Sequence, residues 1–442
     1  MGATGSSPAR RRRWLATVAI CGVLGLVTTA CSGGGGTPAT SSAGGKHAAS
    51  PASAGLQVSI TPGNGSSNVQ PGQGITVTAA HGKLSSVTVT SAGDPVSGTM
   101  NATDTVWHSS NETLDVSQSY TVTAKAAGTK AAGTSGKTVT QTSAFRTLTP
   151  SQTFTTEILE GYQQTYGVGM PIILYFNRQI TDKAAVERAL QVTSSKPIVG
   201  AWYWDDPCNM APVCLYFRPQ SYWPPDTQVS FTGHLNGVEG APGVYGDHTL
   251  TQSFTIGQSL IVTASTATHY MNVYRNGTLF AHWPISTGRP GDNTPNGTYL
   301  TIEKANPVDM IGPGYNIEVP WSVRFTWSGD YLHDAYWSVS EQGFTNVSHG
   351  CVNMPPVDAE IYYNMAVPGD PVTITGSPRA GTFDNGWTMW FLPWSQYLKG
   401  SATGDAVEAG PNGSTFVSPS AVPASAATAP FGAPDPGNWA AS

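Results

Sequence analysis

The run from His333 to Asn353, HDAYWSVSEQGFTNVSHGCVN, brings His333, His349 and Cys351 close together in the chain. A thiol becomes a strong nucleophile when a neighbouring imidazolium stabilises its thiolate, and the sulfur can then attack a carbonyl carbon. Gly350 lets the backbone turn tightly beside the cysteine. The N–H groups around Gly350 and Cys351 are candidates to face a developing oxyanion, where one donor is worth roughly 3 kcal/mol of transition-state stabilisation. The same residue types also bind zinc. His333, His349 and Cys351 would supply three ligands, but no HExxH or CxxC accompanies them, and His349 and Cys351 stand too close to serve easily from one strand. A structural role is the third reading; thiol chemistry is the one these residues favour.

Cysteine usage supports that choice. The chain has five cysteines. Cys21 lies in the apolar run Trp14–Ala30, which follows Arg10, Arg11, Arg12 and Arg13 and ends in small residues just before Cys31. This is a secretory signal over residues 1–30. It resembles a bacterial lipoprotein signal, which implies that Cys31 receives lipid, becomes the mature N-terminus and anchors the chain on the extracytoplasmic face of the cytoplasmic membrane. A short uncleaved membrane anchor is the alternative. Cys208 and Cys214 flank the loop NMAPV, and in an oxidising compartment a small structural disulfide is expected there rather than a metal or redox pair. Cys351 is left without a partner, and an unpaired thiol outside the cytoplasm is a liability unless it has a use.

The elements that must position these groups read as mainly β. Charged residues are only 11% of the 442, with abundant Gly and Pro, a balance typical of exported β-modules joined by flexible segments. The formal charge of −6 becomes still more negative when the four arginines of residues 1–30 are lost, so no basic patch argues for a nucleic-acid partner. Residues 31–55 form a Gly/Ser/Ala linker. From 56 to 149, alternating runs such as GITVTA and QSYTVTAKA separated by turn clusters predict a first immunoglobulin-like β-sandwich. A second β-unit of the same kind is expected over 150–257, with one helix in DKAAVERALQV. Both units are read as spacers. A third β-rich block runs from 258 to 377. In the aromatic segment 378–400, Trp387, Trp390 and Trp394 are spaced for one helical face that docks on the third block. Residues 401–442, rich in Pro, Ala, Gly and Ser, are expected to be a disordered tail.

Several separated motifs in the third block resemble one family in order and spacing. SHGCVN with His333 sixteen residues before His349, TPNGTY at 294–299, GYNIEVPW at 314–321 and WSGDYLH at 327–333 are similar to the L,D-transpeptidases, whose catalytic domain is the YkuD type. Two β-sandwiches behind a lipoprotein signal resemble the actinobacterial members. The resemblance implies that Cys351 attacks the diaminopimelate carbonyl of a peptidoglycan tetrapeptide stem, releasing D-alanine and leaving a thioester. His333 would act as base, and the diaminopimelate amine of a second stem would complete a 3→3 cross-link. It also implies carbapenem β-lactams as inhibitors and no metal or organic cofactor. A backbone carbonyl at Asp334 would orient the His333 ring, with the Asp334 carboxylate either supporting an imidazolium or facing solvent. His349 is read as support for the loop and the oxyanion. Ser348 and Asn353 are read as fixing this loop and contacting the donor stem, while Tyr315, Ser328, Gly329 and the backbone at Asp334 and Ala335 match positions that line the family's substrate cleft. The segment 299–321 resembles a lid, with Met310 its apolar contact. Apart from the resemblance, the acidic composition singles out Arg289 or Arg324 as a cation that could offset repulsion of a carboxylate-bearing donor stem.

Two other readings stand beside this one, the first from a different class. A catalytically idle scaffold could hold the cell wall through its first two domains. An enzyme of the same fold could transfer the acyl group to water, a free D-amino acid or a protein amine.

Overall fold

A computed structural model of the protein describes residues 55–110, 113–312 and 315–422. The signal, Cys31 and nearly all of the linker lie outside the described residues.

The alternation that predicts strands in the first unit has a direct physical outcome. Along Ser119–Gly128, every second side chain through Ala126 is buried, as a half-buried pleated strand requires. Two four-stranded sheets result. One has the spatial order Gln57–Thr61, Thr76–Ala80, Val106–Ser109, Gly98–Met100; the other runs Asp94–Pro95, Gly82–Ser91, Ser119–Gly128, Thr138–Arg146. Val77, Val89, Trp107, Val122 and Phe145 fill the space between them.

The second unit is a larger sandwich with an aromatic core that includes Trp202, Phe217, Trp223, Phe231 and Phe254. Its helix is shorter than the sequence suggests. Asp182 caps it by accepting from the Ala185 N–H at 3.0 Å, and Lys183–Arg188 is helical. Leu190–Ser194 is already a strand of the four-stranded sheet, its Leu, Val and Ser buried. Cys208 and Cys214 form the expected disulfide.

The expected disordered tail is a correction. Ala406–Gly410 and Gly413–Val417 form a hairpin at one edge of the second unit's six-stranded sheet, with Ala409 opposite Ile198 and Val407 opposite Gly200. Ala406, Val407 and Ala409 are buried while Glu408 is exposed. The Pro and Gly that suggested disorder make the turn between the two strands. Residues 423–442 lie outside the described residues.

The aromatic segment also departs from one helix. A 3₁₀ turn at Met389–Phe391 and a short helix at Trp394–Tyr397 are separated by Pro393, and Leu392 before it is extended, as the residue preceding a proline prefers. The segment bridges two domains instead of docking on one. Phe391 packs edge-on against Tyr299 of the third block, while Trp390 meets Tyr222 and the Arg218 guanidinium of the second.

The third block holds a five-stranded sheet in the order Thr278–Pro284, Tyr270–Arg275, Leu260–Ser265, Pro371–Thr375, Gly297–Leu300. Beside it lies a four-stranded sheet of Glu303–Ala305, Ser322–Arg324, Tyr331–Asp334 and Val352–Met354, followed in the chain by helix Pro356–Met365. The lid-like region resolves into a hairpin of Val308–Gly312 and Tyr315–Val319. Tyr299, at the start of the expected lid, is in the core.

Candidate active site

One strand pairing brings the candidate base and nucleophile together. Tyr331–Asp334 runs parallel to Val352–Met354, with Leu332 opposite Val352, His333 opposite Asn353 and Asp334 opposite Met354. Side chains alternate across a strand. Leu332, Val352 and Met354 enter the core, so His333, Asn353 and, one residue before the strand, Cys351 belong to the opposite face.

Short polar side chains shape the cysteine loop. Ser348 is buried; its hydroxyl donates to the Cys351 carbonyl at 2.6 Å and accepts from the Gly350 N–H at 3.2 Å. Thr294 donates to the Gly350 carbonyl at 2.6 Å. Gly350 has φ +133°, and a Cβ there would stand 2.4 Å from Asp330 Oδ1, so both conformation and space demand glycine. Because Ser348 takes the Gly350 N–H, that group does not face an oxyanion as the sequence suggested. Among the described residues no acceptor meets the Cys351 N–H.

On the other side of the sulfur lies the turn Phe325–Asp330. Asp330 accepts from the Thr326 hydroxyl at 2.7 Å and from the Ser328 hydroxyl at 3.0 Å, and its N–H donates to Thr326 Oγ1 at 2.8 Å. The Arg324 guanidinium ties the turn down through the carbonyls of Thr326 and Trp327, and it pairs with Glu303. The Cys351 thiol donates to the Gly329 carbonyl at 3.7 Å.

His333 is only 3% exposed. Its Nδ1 lies 2.7 Å from the Asp334 carbonyl oxygen. A carbonyl can only accept, so Nδ1 carries the proton and Nε2 keeps its lone pair. The indole of Trp337 stacks on the ring at 5.9 Å with a 29° interplanar angle. Burial lowers the His333 pKa to about 4, although the Asp334 carbonyl favours the charged ring. Burial also pushes the Cys351 thiol up to about 12, with the Asp330 carboxylate adding to it and the Tyr331 N–H opposing. Cys351 is partly exposed as a residue, yet Gly329 and Asp330 enclose its sulfur on one side. Near pH 7 the pair is neutral thiol and neutral imidazole, not the thiolate and imidazolium that the sequence pattern brings to mind.

The remaining expected site residues separate in space. The Ser328 hydroxyl is held by Asp330 and Asn385, and Gly329 contributes its carbonyl to the thiol. Asp334 and Ala335 face inward: their N–H groups donate to the carbonyls of Pro320 and Met354, and the Ala335 carbonyl accepts from Gln342. The Asp334 carboxyl does not pair with the imidazole. It is buried, burial raises its pKa against the Tyr336 N–H, and Oδ1 has no partner among the described residues. Asn353 is buried and donates to Ser338 at 2.9 Å. Met310 is half-buried opposite Ile317, whereas Ile311 is the exposed apolar residue of the hairpin. Tyr315 begins the hairpin's second strand. His349 is exposed, and among the described residues no three His, Cys, Asp or Glu side chains converge as a metal site would need. Arg289 pairs with Asp292, so both candidate cations are engaged. Sequence reasoning missed Asp330, Thr326, Trp337 and Asn385. Asp330 lies inside the WSGDYLH motif and Trp337 inside the run from His333 to Asn353, whereas Thr326 and Asn385 carried no signal.

Comparison with known proteins matches residues 259–374 to the YkuD L,D-transpeptidase catalytic domain and residues 66–239 to the bacterial Ig domain Big_10. The second match spans both β-sandwiches. L,D-transpeptidase 2 of Mycobacterium tuberculosis (strain CDC 1551 / Oshkosh) is 31% identical over 405 residues, covering 89% of this chain and 96% of the relative. L,D-transpeptidase 5 of M. tuberculosis (strain ATCC 25618 / H37Rv) is 32% identical over 355 residues, 78% of this chain and 77% of its own. A solved structure of LD transpeptidase LdtMt1 in complex with imipenem aligns at 33% identity and a TM-score of 0.42, over 50% of this chain and 97% of that one. Identity at this level across almost the whole of a relative leaves no ambiguity about descent, and this chain belongs to the L,D-transpeptidases, acyltransferases that join a YkuD catalytic domain to Ig-like modules.

Proposed function

We propose that the protein forms 3→3 cross-links between peptidoglycan stem peptides through a thioester on Cys351. The observation that carries this reading is the tautomer of His333: with Nδ1–H committed to the Asp334 carbonyl, Nε2 is a free base on the face that bears Cys351. As sulfur bonds to the diaminopimelate carbonyl carbon of a tetrapeptide donor, the thiol proton passes to Nε2. The same proton goes to the departing amine of D-alanine as the C–N bond breaks. An acceptor amine then attacks the thioester and loses its proton to Nε2, and the sulfur leaves and is reprotonated. Positioned proton transfer of this kind typically contributes about a hundred- to ten-thousand-fold. The Cys351 N–H, which meets no acceptor among the described residues, is the donor assigned to the oxyanion.

The N-terminal signal and Cys31 support a lipid-anchored enzyme outside the cytoplasmic membrane, with the two Ig-like domains as spacers. A carbapenem, an acylating agent for such a thiol, is the covalent probe. Purified protein incubated with disaccharide-tetrapeptide should yield 3→3 dimers by mass spectrometry, and Cys351→Ala should lose both the dimers and the carbapenem adduct. Dimers formed equally by Cys351→Ala would overturn the proposal, and tripeptide or D-amino-acid-exchanged stems in place of dimers would reassign the acceptor.

A further inference from the structure

The turn beside the nucleophile is gripped from outside the matched catalytic segment. Asn385 Oδ1 accepts from the Ser328 N–H at 2.8 Å, and Asn385 Nδ2 donates to the Ser328 hydroxyl at 2.9 Å. Two neighbours press on the same turn. A Cβ on Gly386 would lie 2.9 Å from the Phe325 carbonyl oxygen, and Trp387 meets Trp327 edge-on at 6.1 Å. The residue before Asn385 is held in turn by the second domain: Asn209, inside the loop closed by Cys208 and Cys214, donates to the Asp384 carbonyl at 2.8 Å. A continuous set of contacts therefore runs from the disulfide loop through Asp384 and Asn385 to Ser328, and Gly329, the next residue, bears the carbonyl that accepts from the Cys351 thiol.

We propose that Asn385 is a positioning residue for the Cys351 reaction, holding the Ser328–Gly329 turn against the sulfur, and that Asn209 of the second domain holds Asn385 in place. The inference deepens the transpeptidase reading and rests on it for the turnover assay alone. Both hydrogen bonds of the Asn385 amide go to one residue, which fixes the turn in rotation as well as in distance. Release of a turn that contacts a reacting atom is costly to rate, because small misplacements in a near-attack geometry lower turnover by up to about a hundredfold.

The test uses the full chain, with turnover of disaccharide-tetrapeptide and, separately, alkylation of Cys351 by iodoacetamide as a function of pH. Asn385→Ala and Ser328→Ala should each lower kcat about tenfold or more at nearly constant KM. The double variant should lose clearly less than the product of the two single losses, since both changes remove the bond between the Asn385 amide and the Ser328 hydroxyl. The alkylation midpoint should move down by about half a pH unit or more in Asn385→Ala, as water reaches the sulfur. Additive losses, or wild-type kcat in Asn385→Ala, would overturn the proposal. Should Asn385→Ala fail to fold, Asn209→Ala carries the test from an exposed loop: a fall in kcat of about threefold or more supports the clamp, and unchanged kcat overturns it. If the wild-type protein alkylates but does not turn over the tetrapeptide, the proposed reaction fails by itself. The alkylation midpoint then decides the clamp, and an unmoved midpoint in Asn385→Ala overturns it.

Discussion

A buried imidazole and an enclosed thiol that are both neutral at pH 7 store no thiolate, so the proton must move as the sulfur attacks. The pH dependence follows from the signs. With the His333 pKa depressed to about 4, the base is free at all pH values well above 4, and acylation of Cys351 by a carbapenem should stay level from about pH 8 to pH 5. It should then fall as pH drops through about 4. A midpoint near 6.5 in stopped-flow acylation would instead report a solvated imidazole. The same depression affects folding. Because the unfolded histidine takes up a proton first, stability is lost as pH falls from 6.5 towards 4, by up to about 3 kcal/mol. Cys351 and His333 were legible in the sequence because their types and spacing are unusual. Their protonation states were not, since burial is imposed by residues distant in the chain. Asp330 shows the same limit: it stands in a motif, but only the fold sets its carboxylate against Gly350 and the sulfur.

Among the elements, the C-terminal hairpin is the one that sequence composition misread. The segment leading into it is gripped by Glu187, fully buried at the end of helix Lys183–Arg188, whose carboxylate accepts from the Trp204 indole, the N–H groups of Ala402 and Thr403 and the hydroxyls of Ser401 and Thr403. No pattern at Glu187 itself announces this, because four of the five donors come from a segment more than 200 residues later. Glu187→Ala strands buried donors and should destabilise the protein by about 3 kcal/mol or more, read as a lower denaturant midpoint. Hydrogen exchange should show Ala406–Gly410 losing protection first. Loss of less than about 0.5 kcal/mol would mean that the hairpin is held by strand pairing alone. The Lys183–Arg188 helix and the alternating strands were legible, since capping and periodicity act within a few residues.

At the scale of the molecule, the chain leaves the second domain, builds the catalytic domain and returns to complete the sheet it left. The catalytic domain is thus flanked in the chain by strands of one sheet of the second domain. Glu160 of the second domain is fully buried with Oε1 unpaired among the described residues, and burial pushes its pKa up to about 8. The sign is opposite to that of His333: this group contributes stability below about pH 4.5, and the contribution is lost as pH rises towards 8. Glu160→Gln should match the wild type near pH 5 and exceed it near pH 8 by up to about 4 kcal/mol in reversible denaturation. Equal stability at both pH values would show that Glu160 does not titrate in the native protein. By itself the sequence determined the candidate nucleophile and base, the β-sandwich order and the family, because each is written in residue types and short-range spacing. Tertiary structure alone decided that the resting pair is neutral, that Ser328 is held by Asn385, and that residues 406–417 close the second domain. Desolvation and long-range pairing depend on which distant segments meet, and no local pattern encodes that meeting.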